Sequence, residues 1–199
     1  NNKENILSNN PYVATYDNVL TNEECQHFIN LAQGKVKPAL VSGDKEGYIS
    51  SGRTGQNCWI EHNNDPITKQ VANKIAKEVG MPLENAEQYQ IIYYDIQQEY
   101  RQHYDGWLFD GSEKSKRNMK YGGQRIKTAL MYLNNVQEGG GTKFTKLDEE
   151  VNAEKGKLLI FENTHTGTNI RHELSEHAGM PVINVKNTES VFWRGRLRI

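Results

Sequence analysis

Two stretches in the first half of the chain carry apolar residues at the three- and four-residue spacing of an amphipathic helix. The first follows a capping box formed by Thr21 and Glu24. The second begins with Asp65 as N-cap and Pro66 in the first turn, and it ends at Gly80. Each helix has one apolar face that must be covered, so the pattern predicts a helical layer packed against the outside of a sheet.

Downstream of Pro82 the pattern changes to that of β-strands. Runs rich in branched and aromatic residues predict strands over residues 88–95, 125–136 and 157–161, and a similar run predicts an earlier strand over residues 11–16. Polar, glycine-containing stretches separate these runs. The pattern therefore predicts an α+β fold that is mainly β, but periodicity alone does not decide among the all-β architectures.

The length of the chain favours a single domain. A chain of 199 residues can bury one substantial core, and we expect residues 1–199 to form one domain. Residues 1–10 are polar without periodicity, which is typical of a flexible arm. Residues 11–85 are expected to form a helical support region, and residues 86–199 the β core.

Composition excludes several classes of protein. Hydrophobic residues make up 36% and charged residues 25% of the chain, as in ordinary soluble domains. A net charge of -1 argues against nucleic acid as a partner, because phosphate binding needs a basic surface. There is no apolar run long enough for a membrane span. The two cysteines lack the spacing of a disulfide framework, so we predict free thiols in a cytoplasmic protein.

The candidate chemistry is concentrated in residues 98–105. In an extended strand His103 and Asp105 point the same way, so an imidazole nitrogen and a carboxylate oxygen converge. A second imidazole from a distant segment would complete a triad of two histidines and one carboxylate, which holds Fe(II) on one face and leaves the other face open. Three downstream histidines can supply it: His165, His172 and His177.

Three ordered motifs decide between these histidines. They are Y-x-x-x-Q-x-Y-x-x-H-Y-D over residues 94–105, R-I-x-T-x-L-M-Y-L-N-x-V-x-x-G-G-x-T-x-F over residues 125–144, and H-A-G-x-P-V over residues 177–182. With them the sequence resembles the prolyl 4-hydroxylase branch of the iron- and 2-oxoglutarate-dependent dioxygenases. The resemblance implies His177 as the second imidazole ligand, and it implies a double-stranded β-helix of the jelly-roll, cupin-like type.

The same resemblance implies roles for five further residues. Tyr94 would donate its hydroxyl to 2-oxoglutarate, and Thr142 occupies the position of a threonine that contacts this cosubstrate. Tyr100 would lie near the metal where the substrate enters. Arg53 would form part of the wall of the substrate groove, and Trp193 falls where the family has a tryptophan.

The sequence departs from the family near its C-terminus. The family carries a lysine about ten residues beyond the distal histidine, and its ammonium pairs with the far carboxylate of 2-oxoglutarate. Here Asn187 stands at that position and Lys186 lies one residue earlier. A shift by one turns a side chain to the other face of a strand. Either a bulge restores Lys186 to the pocket, or Arg194 or Arg196 replaces it, or binding of 2-oxoglutarate is impaired.

The resemblance implies a hydroxylase that uses Fe(II), 2-oxoglutarate and O2, with ascorbate as a further reductant, and releases succinate and CO2. We predict peptidyl proline in a peptide or protein as the substrate, and a homodimer is compatible with the resemblance. Three alternatives stay open: the same chemistry on a free amino acid or small molecule, a non-catalytic metal- or peptide-binding module, and zinc-dependent hydrolysis. The polar residues 107–124 are expected to form either a lid over the bound peptide or a solvated excursion on the surface, and the sequence does not decide between the two.

Overall fold

The computed structural model describes residues 4–42, 47–108, 110–120, 122–184 and 192–198. The helices within these ranges are α1 (Asn22–Ala32), α2 (Pro66–Val79) and α3 (Glu113–Lys120). The strands are β1 (Glu4–Asn9), β2 (Tyr12–Tyr16), β3 (Lys37–Pro38), β4 (Leu40–Ser42), β5 (Gly47–Ile49), β6 (Gln56–Ile60), β7 (Tyr89–Tyr94), β8 (Tyr100–His103), β9 (Lys127–Tyr132), β10 (Glu138–Gly139), β11 (Thr142–Phe144), β12 (Glu149–Val151), β13 (Leu158–Glu162), β14 (His177–Gly179), β15 (Val182–Asn184) and β16 (Phe192–Arg198).

Two sheets form the β core. The larger has the strand order β1-β2-β13-β9-β16-β7-β6-β3, and the smaller has the order β12-β11-β14-β8. From β7 onward the chain alternates between them: β7, β9, β13 and β16 lie in the larger sheet, and β8, β11, β12 and β14 in the smaller. This antiparallel alternation between two sheets is that of a jelly roll, so the predicted double-stranded β-helix is confirmed.

The larger sheet separates two hydrophobic clusters. Because side chains alternate along a strand, Leu158 and Ile160 of β13 pack toward the helices, whereas Leu159 and Phe161 pack toward the smaller sheet. The helix-side cluster includes Phe28 of α1 together with apolar residues of α2. The cluster on the other face is closed by residues of the smaller sheet. The predicted helical support layer is therefore present on one face, and the space between the sheets lies on the other.

The helix boundaries follow the predicted capping residues. Thr21 Oγ1 accepts a hydrogen bond from the Glu24 N–H at 3.1 Å, and the Glu24 carboxylate accepts one from the Thr21 N–H at 2.9 Å. Asp65 Oδ1 accepts from the N–H of Thr68 at 2.9 Å. Gly80 ends α2 in the left-handed conformation with a φ of 75°. These local contacts confirm both helices where the sequence predicts them.

The prediction of a flexible arm for residues 1–10 is wrong for the part that the structure describes. Residues 4–9 form β1, which pairs antiparallel with β2 from Glu4 opposite Tyr16 to Asn9 opposite Tyr12. β1 is an edge strand, and most of its side chains are exposed. Its backbone hydrogen bonds therefore hold it in place without an apolar pattern that the sequence could reveal.

The polar segment between β8 and β9 contains a helix that the sequence did not predict. α3 lies within residues 107–124, and Ser112 Oγ accepts a hydrogen bond from the Ser115 N–H near its start. The base of the segment is closed by Gln124, whose amide accepts from the Trp107 N–H at 2.7 Å and donates to the Trp107 carbonyl at 2.8 Å. This pair of bonds fixes where the excursion leaves and rejoins the core.

The structure bears on two predictions made from composition: that the cysteines are free thiols and that the chain has no apolar run long enough for a membrane span. Cys25 and Cys58 are both buried free thiols, as predicted. Burial raises the pKa of Cys25 to about 11, so its thiol is protonated at neutral pH. Among the described residues, none of the helices combines the length and the apolar character that crossing a bilayer requires.

Candidate active site

The structure brings together the three residues predicted as metal ligands. Asp105 Oδ1 lies 3.6 Å from His103 Nε2 and 3.5 Å from His177 Nε2. All three ligand atoms lie within 4.8 Å of one another. Asp105 is 2% exposed and His177 4%, while His103 is half-buried at the edge of the cluster. One side of the triad is thus enclosed by protein and the other is open.

Strand pairing explains how two distant histidines meet. β14 pairs with β8 so that His177 lies directly opposite His103, and the centroids of the two rings are 4.4 Å apart. Asp105 lies in a bend just after β8, which ends at His103. The convergence of His103 and Asp105 was therefore predicted, but the turn after the strand, rather than strand alternation alone, directs the carboxylate.

Backbone carbonyls orient each imidazole ring. His103 Nδ1 lies 2.6 Å from the Arg101 carbonyl, and His177 Nδ1 lies 2.9 Å from the Ser175 carbonyl. A carbonyl only accepts, so each Nδ1 carries the proton and donates. The nitrogen nearer Asp105 is therefore Nε2 in both residues, and metal-binding histidines commonly donate their other ring N–H to a carbonyl in this way.

Two buried side chains orient the carboxylate. Thr128 Oγ1 donates to Asp105 Oδ2 at 2.7 Å, and Asn163 Nδ2 donates to Thr128 Oγ1 at 2.9 Å. Thr128 and Asn163 are fully buried. Since Oδ2 is committed to Thr128, Oδ1 is the oxygen that faces the two imidazoles. Neither residue was predicted from the sequence to have a role; the signal that could have found Thr128 is its position within the second motif.

The donor set fits Fe(II). Two neutral imidazole nitrogens and one carboxylate oxygen on a single side form the facial triad of non-heme iron oxygenases, which leaves positions for other ligands. The bonds to Arg101, Ser175 and Thr128 act as the outer hydrogen bonds that hold such ligands in place.

The two rival histidines lie elsewhere and have other partners. His172 Nδ1 accepts from the Leu174 N–H at 3.1 Å, so its Nε2 carries the proton toward Asn10 Oδ1 at 3.0 Å. Burial, with the neighbouring His165, lowers the pKa of His172 and keeps it neutral. His165 stacks on His172 at 4.1 Å and contacts Glu173. Both ring nitrogens of His172 are thus committed to the protein, which argues against a metal site there.

The predicted cosubstrate residues line the space between the sheets. Tyr94 is 1% exposed and Thr142 is fully buried, and both lie in or beside the cluster closed by the smaller sheet. The Tyr132 hydroxyl lies 2.7 Å from Thr142 Oγ1, which adds a hydroxyl that the sequence analysis did not single out. These hydroxyls form polar positions within an otherwise apolar interior.

The sequence predicts that a basic residue from the C-terminal part of the chain completes this space. Lys186 and Asn187 lie outside the described residues. Arg194 lies on β16, with its backbone opposite Tyr132 of β9, and Arg196 follows two residues later on the same strand. The structure thus places the backbone of both arginines on β16, between β9 and β7 in the larger sheet.

Two of the predicted substrate residues, Arg53 and Tyr100, form a stack that ends on the His103 ring. The Arg53 guanidinium carbon lies 4.5 Å from the centroid of the Tyr100 ring, and that ring lies 3.5 Å from the His103 ring. Arg53 is 6% exposed, and its Nη1 donates to the Leu40 carbonyl at 2.8 Å. Trp193 lies on β16 with its backbone opposite Tyr93. Arg53 and Tyr100 thus meet beside the triad. For Trp193, the strand pairing establishes the position of its backbone in the larger sheet.

A wide cleft of about 1,120 Å³ opens over His103 and Asp105. Tyr100 and Arg53 form part of its wall, and the segment containing α3 forms another part. Arg125, which the sequence analysis placed only within a motif, also lines it. Its guanidinium pairs with both carboxylate oxygens of Glu87, at 2.7 and 2.9 Å. The volume exceeds that of most small-molecule pockets, so the cleft has room for an extended chain.

Comparisons with known proteins agree with this geometry. The profile of the 2OG-Fe(II) oxygenase superfamily matches residues 89–194, which include the whole triad. Probable prolyl 4-hydroxylase 7 of Arabidopsis thaliana is 33% identical over 94% of this chain, which spans 63% of that relative. A putative prolyl 4-hydroxylase of Acanthamoeba polyphaga mimivirus is 32% identical over 93% of this chain and 74% of its own length.

The solved structures show the same fold. The viral collagen prolyl hydroxylase of Paramecium bursaria Chlorella virus-1, solved in complex with 2OG, matches with a TM-score of 0.73. The match covers 96% of each chain at 22% sequence identity. It therefore includes the helical layer as well as both sheets.

Proposed function

Because the chain belongs to the 2OG-Fe(II) oxygenase superfamily, we propose that it is a prolyl 4-hydroxylase acting on peptidyl proline. Fe(II) and 2-oxoglutarate, predicted from the sequence, are the cofactors that give this superfamily its name. The reaction would consume O2 and release succinate and CO2. The relatives that resemble this chain over most of its length carry the name of prolyl 4-hydroxylase.

The observation that carries the proposal is the buried triad at the floor of an open cleft. His103, Asp105 and His177 present three converging donor atoms, and the cleft reaches two of these residues from the solvent side. An iron site that is open on one side and reached through a wide cleft suits oxidation of a bound chain.

In this function the iron would activate O2, which is the oxidant, and the protein would supply ligation and orientation. His103 and His177 would bind the iron through Nε2, while the Nδ1–H of each donates a hydrogen bond to a backbone carbonyl. Thr128 keeps Asp105 Oδ1 directed at the same point by holding Oδ2. Tyr100, stacked on the His103 ring, would form the wall of the cleft beside the triad.

The cosubstrate would lie between the sheets. We propose that Tyr94 and Thr142 donate hydrogen bonds to 2-oxoglutarate, with Tyr132 orienting the Thr142 hydroxyl from 2.7 Å. A basic side chain is needed for the far carboxylate, since a buried carboxylate without a partner is costly. Lys186 is our proposal for that cation, with Arg194 and Arg196 as its alternatives.

The substrate would lie along the cleft. Arg53 and Tyr100 stand where the substrate would pass the triad, and Trp193 is proposed as a third substrate residue. The size of the cleft favours a peptide over a free amino acid, which would leave most of the space to water.

Four further properties predicted from the sequence are also part of the proposal. We propose that residues 1–199 form one domain and that the protein is cytoplasmic. We also propose that it forms a homodimer and that ascorbate serves as a reductant.

The decisive experiment is hydroxylation of proline-containing peptides with Fe(II) and 2-oxoglutarate. We expect a mass increase of one oxygen on proline, with one succinate released per hydroxylation, and loss of both products in His177→Ala. A matched control is His165→Ala, which removes an imidazole outside the triad. Succinate formation with free amino acids but with none of the peptides would favour the small-molecule oxygenase instead.

A further inference from the structure

The cleft over the triad is much more basic than the rest of the protein. The whole chain has 24 lysines and arginines against 25 aspartates and glutamates. Among the described residues that line the cleft, the acidic side chains are Asp105 and Asp110. The basic ones are Lys35, Lys37, Arg53, Arg101, Lys114, Arg125 and Arg171. Since Asp105 belongs to the metal site, the positive charge of the cleft faces almost no acidic group of its own.

Part of this charge has no acidic partner among the residues that the structure describes. Arg125 pairs with Glu87, and Arg101 pairs with Glu99. Within the part of the chain that the structure describes, by contrast, Lys35, Lys37 and Arg171 form no salt bridge. These three cations are therefore available to a ligand.

The available cations lie on different elements that border the cleft. Lys35 follows α1, and Lys37 lies on β3, the edge strand of the larger sheet. Arg171 belongs to the segment before β14, and its guanidinium carbon lies 4.0 Å from the centroid of the Tyr104 ring. Tyr104 lies between the ligands His103 and Asp105, so Arg171 is held beside the triad. The positive charge thus reaches the cleft both at the sheet edge and next to the metal ligands.

The same cleft has exposed apolar side chains on its walls. Leu40, Trp59 and Leu108 are 52%, 49% and 50% exposed, and all three line it. Large apolar side chains exposed together at one site are typical of a surface that a partner covers. The cleft therefore offers both apolar contacts and positive charge.

We propose that the cleft selects peptides in which acidic residues flank the target proline. Opposite charges across an interface raise the association rate and exclude partners of the wrong charge. Lys35 and Lys37 would attract acidic residues at one flank, and Arg171 would attract one closer to the reacting proline. Apolar residues of the peptide, including proline, would cover Trp59 and its neighbours. This inference rests on the proposed function and narrows its substrate class.

The test compares three host peptides that differ only in the residues flanking one proline: glutamate, glutamine or lysine. Binding is measured by fluorescence anisotropy of labelled peptides, with no turnover required. We expect the glutamate peptide to bind about tenfold more tightly than the lysine peptide at low salt. The difference should shrink at about 0.5 M salt, because exposed charges are then screened.

Charge-removing variants locate the effect. Lys35→Gln combined with Lys37→Gln, and separately Arg171→Gln, should each reduce the preference for glutamate over lysine by about threefold. The matched control combines Lys69→Gln with Lys77→Gln, two exposed lysines of α2. It removes the same charge from the helical layer and should keep the full preference.

Four results of these binding experiments would overturn the preference for acidic peptides. Equal binding of the three peptides, or a preference for lysine, overturns the inference, as does an equal loss of preference in the α2 control. A single-stranded oligonucleotide that displaces the glutamate peptide at equal concentration would instead identify a nucleic-acid groove and overturn it. Hydroxylation of the glutamine peptide, followed by mass, tests the proposed function separately: an acidic preference without hydroxylation contradicts the prolyl hydroxylase alone.

Discussion

The two faces of the larger sheet have nearly the same burial and very different chemistry. On β7, Tyr89 packs toward the helices and Tyr94 packs toward the smaller sheet, and both are at most 1% exposed. The Tyr89 hydroxyl donates to the Thr68 carbonyl of α2 at 2.7 Å. Tyr94 instead belongs to the interior where Thr142 and Tyr132 bring their hydroxyls together.

The comparison shows how one strand pattern serves two purposes. On the helix face, polar groups such as the Tyr89 hydroxyl join secondary structure elements and contribute to stability. On the inner face, which faces the smaller sheet, several hydroxyls and the triad are buried together, although burying polar groups costs free energy. If this division is correct, substitutions on the inner face should alter ligand binding, and those on the helix face should alter only stability.

The largest effect is expected from removing a ligand of the inner face. His177→Ala should lower the affinity for Fe(II) by more than about 100-fold, since one of three donor atoms is lost. The measurement is an anaerobic titration with Fe(II) and 2-oxoglutarate, followed by the visible absorption of their complex. His165→Ala is the control and should retain the absorption. An unchanged titration in His177→Ala would show that the triad is not the iron site.

A smaller loss is expected from the residue that orients the carboxylate. Thr128→Val keeps the volume but removes the hydroxyl that donates to Asp105 Oδ2 at 2.7 Å. We expect an affinity for Fe(II) that is about 10- to 100-fold lower, measured by competition with a chelator. Thr15→Val, on β2 of the same sheet, is the matched control. If both variants bind iron like the wild type, the hydroxyl has no positioning role.

The two tyrosines of β7 give a direct test of the two faces. Tyr94→Phe should raise the concentration of 2-oxoglutarate needed for half-maximal absorption by about tenfold, because one hydrogen bond to a charged ligand is lost. Tyr89→Phe should leave this concentration unchanged. It should instead lower the free energy of unfolding by about 1 kcal/mol, since the bond to the Thr68 carbonyl is lost. The reverse result would exchange the roles of the two faces.

The sequence predicts those elements of the fold that depend on contacts between residues close in sequence, and it misses those that depend on contacts between distant residues. α1 and α2 were predicted because a capping box at Thr21 and a cap at Asp65 are contacts between residues that are close in sequence. β1 was missed because an exposed edge strand depends on backbone bonds to its neighbour. α3 was missed because its sequence is polar and carries no apolar face.

The same distinction applies to the site. His103, Asp105 and His177 were predicted because each lies in a recognisable motif, and the structure brings them together. Asn163 was missed because it contacts Thr128 only through the pairing of β9 with β13. Such a contact between residues distant in sequence has no local sequence pattern. The charge of the cleft was also invisible in the sequence. A net charge of -1 over the whole chain conceals basic residues that the fold gathers from separate elements.

The smallest effect concerns the helical layer and should leave the site untouched. Burial acts to raise the pKa of Asp65, but hydrogen bonds from the Thr68 N–H, His27 and Asn64 outweigh it and lower the pKa to about 2. A carboxyl whose pKa is lower in the folded than in the unfolded protein stabilises the fold above its unfolded pKa of about 3.9. That contribution, about 1 kcal/mol because solvent screens this partly exposed group, is lost as the pH falls from about 5 toward 2.

The matched variant for this prediction is Asp65→Asn, which keeps a capping oxygen for α2 but removes the charge. Wild type should be more stable than the variant at neutral pH, and the two unfolding curves should approach each other as the pH falls toward 2. Denaturant unfolding at several pH values measures this difference. Because Asp65 and His27 join α1 to α2 at 2.7 Å on the helix side, Fe(II) binding at neutral pH should be equal in both proteins. A pH-independent difference in stability would show that the charge of Asp65 contributes nothing, and weaker iron binding would show that the two faces of the sheet are coupled.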